Sequence, residues 1–135
     1  MTGSTRTVAQ RAGDAAELAV ARSLAVAGWS ILARNVHVGR HELDLVAVDP
    51  GPPPALVIVE VRWRSRRDFG LPEETFDHRK RSHLRTAIGR LLEDGLPDGR
   101  PAPRLPVRVD LVVVEPGSGT GVAPRIRHHR NALGG

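Results

Sequence analysis

The succession of periodic segments in this chain predicts an α/β fold, a central mixed β-sheet flanked by helices. Three observations carry that expectation. Residues 10–27 and 73–94 space their apolar positions as helices do. Residues 41–49, 55–63 and 107–115 are short apolar runs with the alternation of strands. Pro- and Gly-rich stretches at 50–54 and 95–106 separate them, and prolines there remove the backbone donors that a sheet needs. At 135 residues the chain is long enough for one core, so a single domain spanning 1–135 is expected, with 1–8 as a flexible tail.

The elements follow in order. Between Gln10 and Ala27, Ala12, Ala16, Ala19, Leu24 and Ala27 pave one side of an Ala-rich helix, and Gly28 stops it. Trp29–Ala33 is a short strand, Arg34 and Asn35 a turn, and Val36–Arg40 leads into the strand at 41–49. After the proline loop comes the strand at 55–63, then a dense basic cluster of Arg64, Arg66 and Arg67, then a loop containing Phe69 and Gly70. The second helix, Glu73–Asp94, has Phe76, Leu84, Ala87, Ile88, Leu91 and Leu92 as its apolar stripe. Its front carries His78, Arg79, Lys80, Arg81, His83 and Arg85. Val107–Glu115 is a further strand. Gly117, Gly119 and Gly121 mark a hairpin turn too irregular for a nucleotide-binding loop. Pro124–Leu133 is an edge strand or a short helix, and its His128 and His129 read as surface residues or phosphate contacts.

Composition excludes several functions. Without cysteine there is no disulfide, thiol catalysis or Cys-based zinc site. No apolar run approaches the roughly 20 residues that cross a bilayer, and the start lacks the apolar core of a secretory signal. A cytoplasmic protein without a membrane partner is expected. The net charge is +5, and Lys80 is the one lysine among 20 basic residues. A basic balance favours a polyanionic partner, nucleic acid first.

The chemistry concentrates in the strands at 41–49 and 55–63. Asp44 and Glu60 sit in the middle of otherwise apolar runs. An unpaired buried carboxylate costs on the order of several kcal/mol or takes up a proton, so two such acids imply a cation: a metal ion or the neighbouring Arg62. If the strands pair as a hairpin, the acids approach one another. Two carboxylates can hold Mg²⁺ with positions left for water and a phosphate oxygen, which suits phosphodiester hydrolysis. Glu17, set among Ala15, Ala16, Leu18 and Ala19, reads from the residues alone as a surface side chain.

The chain resembles the YraN family of bacterial proteins, which have a restriction-endonuclease-like fold and are related in fold to archaeal Holliday-junction resolvases. The likeness rests on Gly13–Ala19, Gly28–Asn35, His41–Ala47 and Val59–Ser65, then Phe69-Gly70, Lys80, Val109–Val112 and Asn131–Leu133. The resemblance implies that Asp44 and Glu60 are the two acids of a PD-(D/E)xK nuclease and its metal ligands, with Mg²⁺ or Mn²⁺ as cofactor. Arg62 stands where that pattern has lysine, and Glu17 becomes a helix-borne ligand of metal or water. Glu42 is a weaker candidate. Arginine stays protonated and cannot act as a general base. Three readings stay open: Arg62 keeps an electrostatic role, catalysis has been lost and binding remains, or Lys80 reaches the site from the second helix. Arg64, Arg66, Arg67, Lys80 and Arg81 are the expected nucleic-acid contacts. The resemblance thus implies a metal-dependent nuclease acting on DNA, branched DNA included. The alternative is a non-catalytic nucleic-acid-binding or interaction module. It leaves RNA as substrate and a homodimer open.

Overall fold

The computed structural model describes residues 7–64, 76–115, 117 and 121–133, with only the backbone at position 9. Helix α1 spans Val8–Val26. It begins earlier than its apolar spacing suggested, because Thr7 is a good N-cap. The Thr7 hydroxyl accepts from Gln10 N at 3.1 Å, and Gln10 Oε1 accepts from Thr7 N at 2.8 Å, closing a capping box. The tail expected at 1–8 therefore loses Thr7 and Val8 to the helix start. Ala27 caps the other end, and Gly28 at φ +96° turns the chain so that Trp29 N donates back to Leu24 O. The buried stripe is Ala16, Val20, Ala21 and Leu24, while Ala27 is exposed.

Five strands follow, β1 Ser30–Val38, β2 His41–Asp49, β3 Ala55–Trp63, β4 Val107–Glu115 and β5 Arg125–His129, with α2 (His78–Asp94) between β3 and β4. They form one sheet in the order β1-β2-β3-β4-β5. All neighbours are antiparallel except β3 and β4, which run parallel. A parallel pair needs a crossover, and α2 supplies it. The fold is thus the mixed-sheet α/β architecture expected, compatible with a restriction-endonuclease-like fold.

The two helices seal opposite faces. Ala16, Val20 and Leu24 of α1 pack on Leu45, Ala47, Val57, Val59 and Val112. Leu84, Ala87 and Leu91 of α2 share the opposite core with Val36, Val46, Leu56, Ile58, Val109 and Val113. Burial on both faces explains why β3 and β4 read as nearly continuous apolar runs.

Three expectations change. β1 is one strand through the anticipated turn, because Asn35 takes φ +51° within it, a conformation asparagine tolerates. Phe76 and Asp77, expected in the second helix, precede it: Asp77 is the N-cap, its carboxylate accepting from Lys80 N at 2.8 Å. Leu92, expected in the apolar stripe, is exposed, and Leu84, Ala87 and Leu91 are the buried positions. Residues 73–75, the Phe69-Gly70 loop and Gly119 lie outside the described residues. The last element is the edge strand of the two alternatives. Among the described residues no helix is long and apolar enough to cross a membrane.

Candidate active site

The site forms where β2 leaves β3. Their pairing runs from Asp49↔Ala55 to Leu45↔Val59. Along β2, Leu43 joins Val46 in the α2-side core, whereas Leu45 and Ala47 face α1. Strict alternation would put Leu43 with Leu45, so the strand turns over at Asp44. The register pairs Arg34↔Leu45 and Val36↔Leu43 place the left-handed Asn35 opposite that point. Released from the ladder, Asp44 uses its side chain instead, and its Oδ2 accepts from Val61 N at 2.8 Å.

β3 stays paired with β4 on its other edge, Glu60↔Leu111, so Glu60 is held deep, 5% exposed. It shares the α2 face of β3 with Leu56 and Ile58. Lys80, in the first turn of α2, brings its ammonium to 3.3 Å from Glu60 Oε1. The contact is an ion pair without good hydrogen-bond alignment, and Oε1 has no hydrogen-bond partner. Glu17, one position past buried Ala16 on α1, reaches Asp44 from the other side and shares a hydrogen bond with it. Three carboxylates from α1, β2 and β3 thus meet around Asp44.

That crowding is costly for negative charge. Burial, then the hydrogen bond and charge of Asp44, raise Glu60 from 4.5 to about 8, with Lys80 pulling the other way. Burial and Asp44, with smaller contributions from Asp14 and Glu42, raise Glu17 to about 7. The protons belong to the cluster rather than to either residue. At neutral pH the cluster keeps protons it would shed if a cation lay among its oxygens.

Arg62, two residues beyond Glu60, rests its guanidinium 5.5 Å above the Phe76 ring. Burial lowers its pKa, opposed by the charges of Glu60, Asp77 and Asp44. It therefore lies within the field of the acids, while Lys80 makes the direct contact with Glu60. Glu42 is exposed at the start of β2.

The expected nucleic-acid contacts divide. Arg64 lies 3.7 Å from Glu115, which also holds Arg127 at 2.6 Å. Arg81 Nε donates to Phe76 O at 2.9 Å and fastens the approach to α2. Arg66 and Arg67 lie outside the described residues. The exposed cations of α2 are Arg79, Arg85 and Arg90. His128 is no free surface residue: its Nε2 lies 2.8 Å from the fully buried Asp110. Asp110 was legible by the same sign as Asp44 and Glu60, an acid inside an apolar strand, with Arg108 two residues away on its face.

Among the described residues, no three His, Cys, Asp or Glu side chains are arranged as a ready-made metal cage. Asp44 and Glu60 nevertheless present hard oxygen donors, one of them Glu60 Oε1, which the Lys80 ammonium faces at 3.3 Å. Mg²⁺ characteristically uses one or two carboxylates and keeps several waters. The donor set fits such an ion.

Comparison with known proteins gives one result. The profile of the "Uncharacterised protein family UPF0102" matches residues 16–114, a span that includes Glu17, Asp44, Glu60 and Lys80. A UPF0102 protein of Symbiobacterium thermophilum is 38% identical over 110 residues, 82% of this chain and 86% of its own length. One from Desulforamulus reducens is 36% identical over 106 residues, 78% and 81% of the two chains. One from Erythrobacter litoralis is 33% identical over 113 residues, 84% and 89%. The chain that builds this three-carboxylate site accordingly belongs to the UPF0102 family.

Proposed function

We propose that this protein is a metal-dependent nuclease that hydrolyses phosphodiester bonds in DNA. The observation that carries the proposal is the meeting of Glu17, Asp44 and Glu60, from three separate elements, beside Lys80. Structural ion pairs satisfy their charges; this cluster holds excess acid whose pKa values climb toward and past neutrality, a mark of functional sites.

Asp44 and Glu60 would hold a Mg²⁺ or Mn²⁺ ion. Bound there, the ion would lower the pKa of a water and steady the leaving oxygen. Glu17 approaches Asp44 from α1 and shares a hydrogen bond with it, which would place its carboxylate to accept the water's proton. Lys80 supplies the positive charge that the nuclease pattern places two residues after its second acid. Its Nζ is at Glu60, and its side chain is 39% exposed, so it can also meet a phosphate oxygen. Arg62 is left with an electrostatic part. Arg79 and Arg85 extend the basic surface along α2.

The first test is a cleavage and binding panel of single-stranded, duplex, flapped and four-way DNA, with RNA counterparts, in Mn²⁺ and in EDTA. We expect cutting that needs the metal and falls in Asp44→Ala by at least the roughly 10- to 100-fold that losing even a supporting partner of a metal site costs. The second reading is a binding module on the same fold, favoured by Arg62 lying on Phe76 where the pattern has its lysine. Binding that persists in EDTA and in Asp44→Ala, with no substrate cut, would establish it and end the first.

A further inference from the structure

Beside the carboxylate cluster, α2 and the β1–β2 turn enclose a cavity of about 210 Å³. Its walls carry Arg40 and His41 from the turn and start of β2, and Lys80 and His83 from α2. The imidazoles of His41 and His83 stand face to tilted face, 4.9 Å between centroids and 40° apart. Leu43 and Leu84, both buried, form an apolar floor. Glu42 is the one carboxylate on the walls.

We infer that this cavity is a phosphate-binding subsite, which seats a phosphate of the nucleic acid next to the one being cut. The inference deepens the nuclease reading and rests on it for the identity of the ligand. Four physical points support it. The walls bring together four side chains that carry or can carry positive charge, against one acid. Among the described residues, Arg40 and His83 have no ion-pair partner. A concave site with an apolar floor focuses the field of such charges. Finally, Lys80 belongs to both places: it lines the cavity, and its ammonium touches Glu60. An anion seated here therefore lies one side chain away from the acids. Arg40 supplies a fork for two phosphate oxygens, and the imidazole N–H groups can donate to the others. The backbone of a strand crossing the mouth of the site would be fixed in register by such a contact without its bases being read.

The seated group is either an internal phosphodiester or a terminal 5′-phosphate; both present the same oxygens. The test uses side-chain NMR of His41 and His83 during titration with inorganic phosphate, in EDTA, on the wild type and on Asp44→Ala. Both imidazoles should shift in both proteins. Arg40→Ala/His83→Ala, two exposed positions away from the core, should remove the response of His41 and keep the folded spectrum. Its log affinity for duplex DNA against log salt should flatten by about one, the change for one lost phosphate contact. Oligonucleotides with a 5′-phosphate or a 5′-hydroxyl then assign the source: preferential binding of the first marks a terminal phosphate, and equal binding an internal one, and both support the subsite. Phosphate shifts confined to other parts of the protein, or an unchanged salt slope in the double variant, would overturn it. The activity and the subsite can fail separately. A protein that cuts nothing but still shifts both imidazoles keeps the subsite and loses the nuclease.

Discussion

β2 carries an acid near each end, and the two ends have opposite fates. At its C-terminal end Asp49 accepts from Gly51 N and from Arg108 Nη2, both at 2.9 Å, with Arg130 at 3.8 Å. Arg108 also reaches Asp110 with Nε at 2.8 Å and Nη2 at 3.0 Å. His128 and the backbone N–H of Asn131 complete the shell of Asp110 at 2.8 and 3.0 Å. Burial alone would raise Asp110. The hydrogen bonds of His128, Arg108 and Asn131 outweigh it and hold the carboxyl at about 2. Trp29 lies against both Arg108 and His128, 5.7 and 5.6 Å from its ring, and closes the network toward α1. At the other end Glu60 is similarly buried, but the cation in contact with it is a partly exposed lysine and its other neighbour is another acid, so its pKa rises to about 8. Depth is therefore not what separates the ends. One network satisfies its carboxylates within the fold, and the other leaves them short of positive charge. The first is a structural clasp between β2, β4 and β5, and the second has the deficit expected of a binding site.

The largest effect should come from breaking the satisfied end. Asp110→Ala leaves Arg108 with Asp49 alone and takes the carboxylate from His128, and removing one member of a buried charged set costs about 3–5 kcal/mol. Asp44→Ala relieves crowding and should cost far less. Urea unfolding at pH 7 of the two variants decides it. Equal losses would mean that both clusters are structural.

The pH dependence of stability should separate the ends next. A carboxyl raised in the folded state favours folding below its unfolded value, 4.5 for Glu60, and that contribution is lost as pH rises through about 8. Glu60→Gln should therefore flatten the decline between those values and exceed the wild type at pH 8 by on the order of a few kcal/mol. Asp110 has the opposite sign. Its contribution is present above its unfolded value of 3.8 and is lost as pH falls through about 2. Melting temperatures from pH 2 to 9 show both limbs, and Asp110→Asn should flatten only the acid one.

A divalent cation should distinguish the ends with an effect of intermediate size. Mn²⁺ at 100 times its dissociation constant stabilises a folded protein by about 2.7 kcal/mol. The shift should appear in the wild type and in Arg108→Lys and vanish in Asp44→Ala. A shift that survives in Asp44→Ala would place the ion elsewhere.

The two ends were not equally legible in the sequence. Asp44, Glu60 and Asp110 share one sign, an acid in an apolar strand, and that sign cannot say whether the fold supplies the counter-charge. Arg108 and Asp110 share a strand face and were readable as a pair. Asp49 and His128 come from distant strands, and only the sheet order brings them in. The strands and the two helices were legible from periodicity because both sheet faces are covered. Local chemistry displaced their boundaries: the Thr7 and Asp77 caps and the left-handed Asn35. Glu17 read from residues alone as a surface group, since its place beside Ala16 says nothing about Asp44 across the sheet. Arg62 was the obvious cation by spacing. Lys80 makes the contact with Glu60 because α2, packed over β2 and β1, brings its first turn to Glu60 on β3, a relation that no local pattern encodes.

The smallest stability effect is the most discriminating, and it concerns the single cation at each end. Arg108 serves two carboxylates held below their usual range, so Arg108→Met takes a shared cation from both and should destabilise on the scale of the loss of Asp110. Lys80 serves an acid cluster that keeps protons at neutral pH, so its attraction to Glu60 is weaker than that between two full charges. Its side chain is also 39% exposed, and water screens what attraction remains. Lys80→Met should therefore change stability at pH 7 by no more than about 1 kcal/mol. It should also move the Glu60 titration further upward, because the ammonium in contact with it is gone. Urea unfolding and carboxyl ¹³C NMR on the same variant measure the two. A loss matching that of Arg108→Met would show Glu60 ionised and paired in the resting fold, like Asp110. A small loss with a raised titration, joined to loss of metal-dependent cutting, would mean that Lys80 is retained for its charge at the site rather than for the fold.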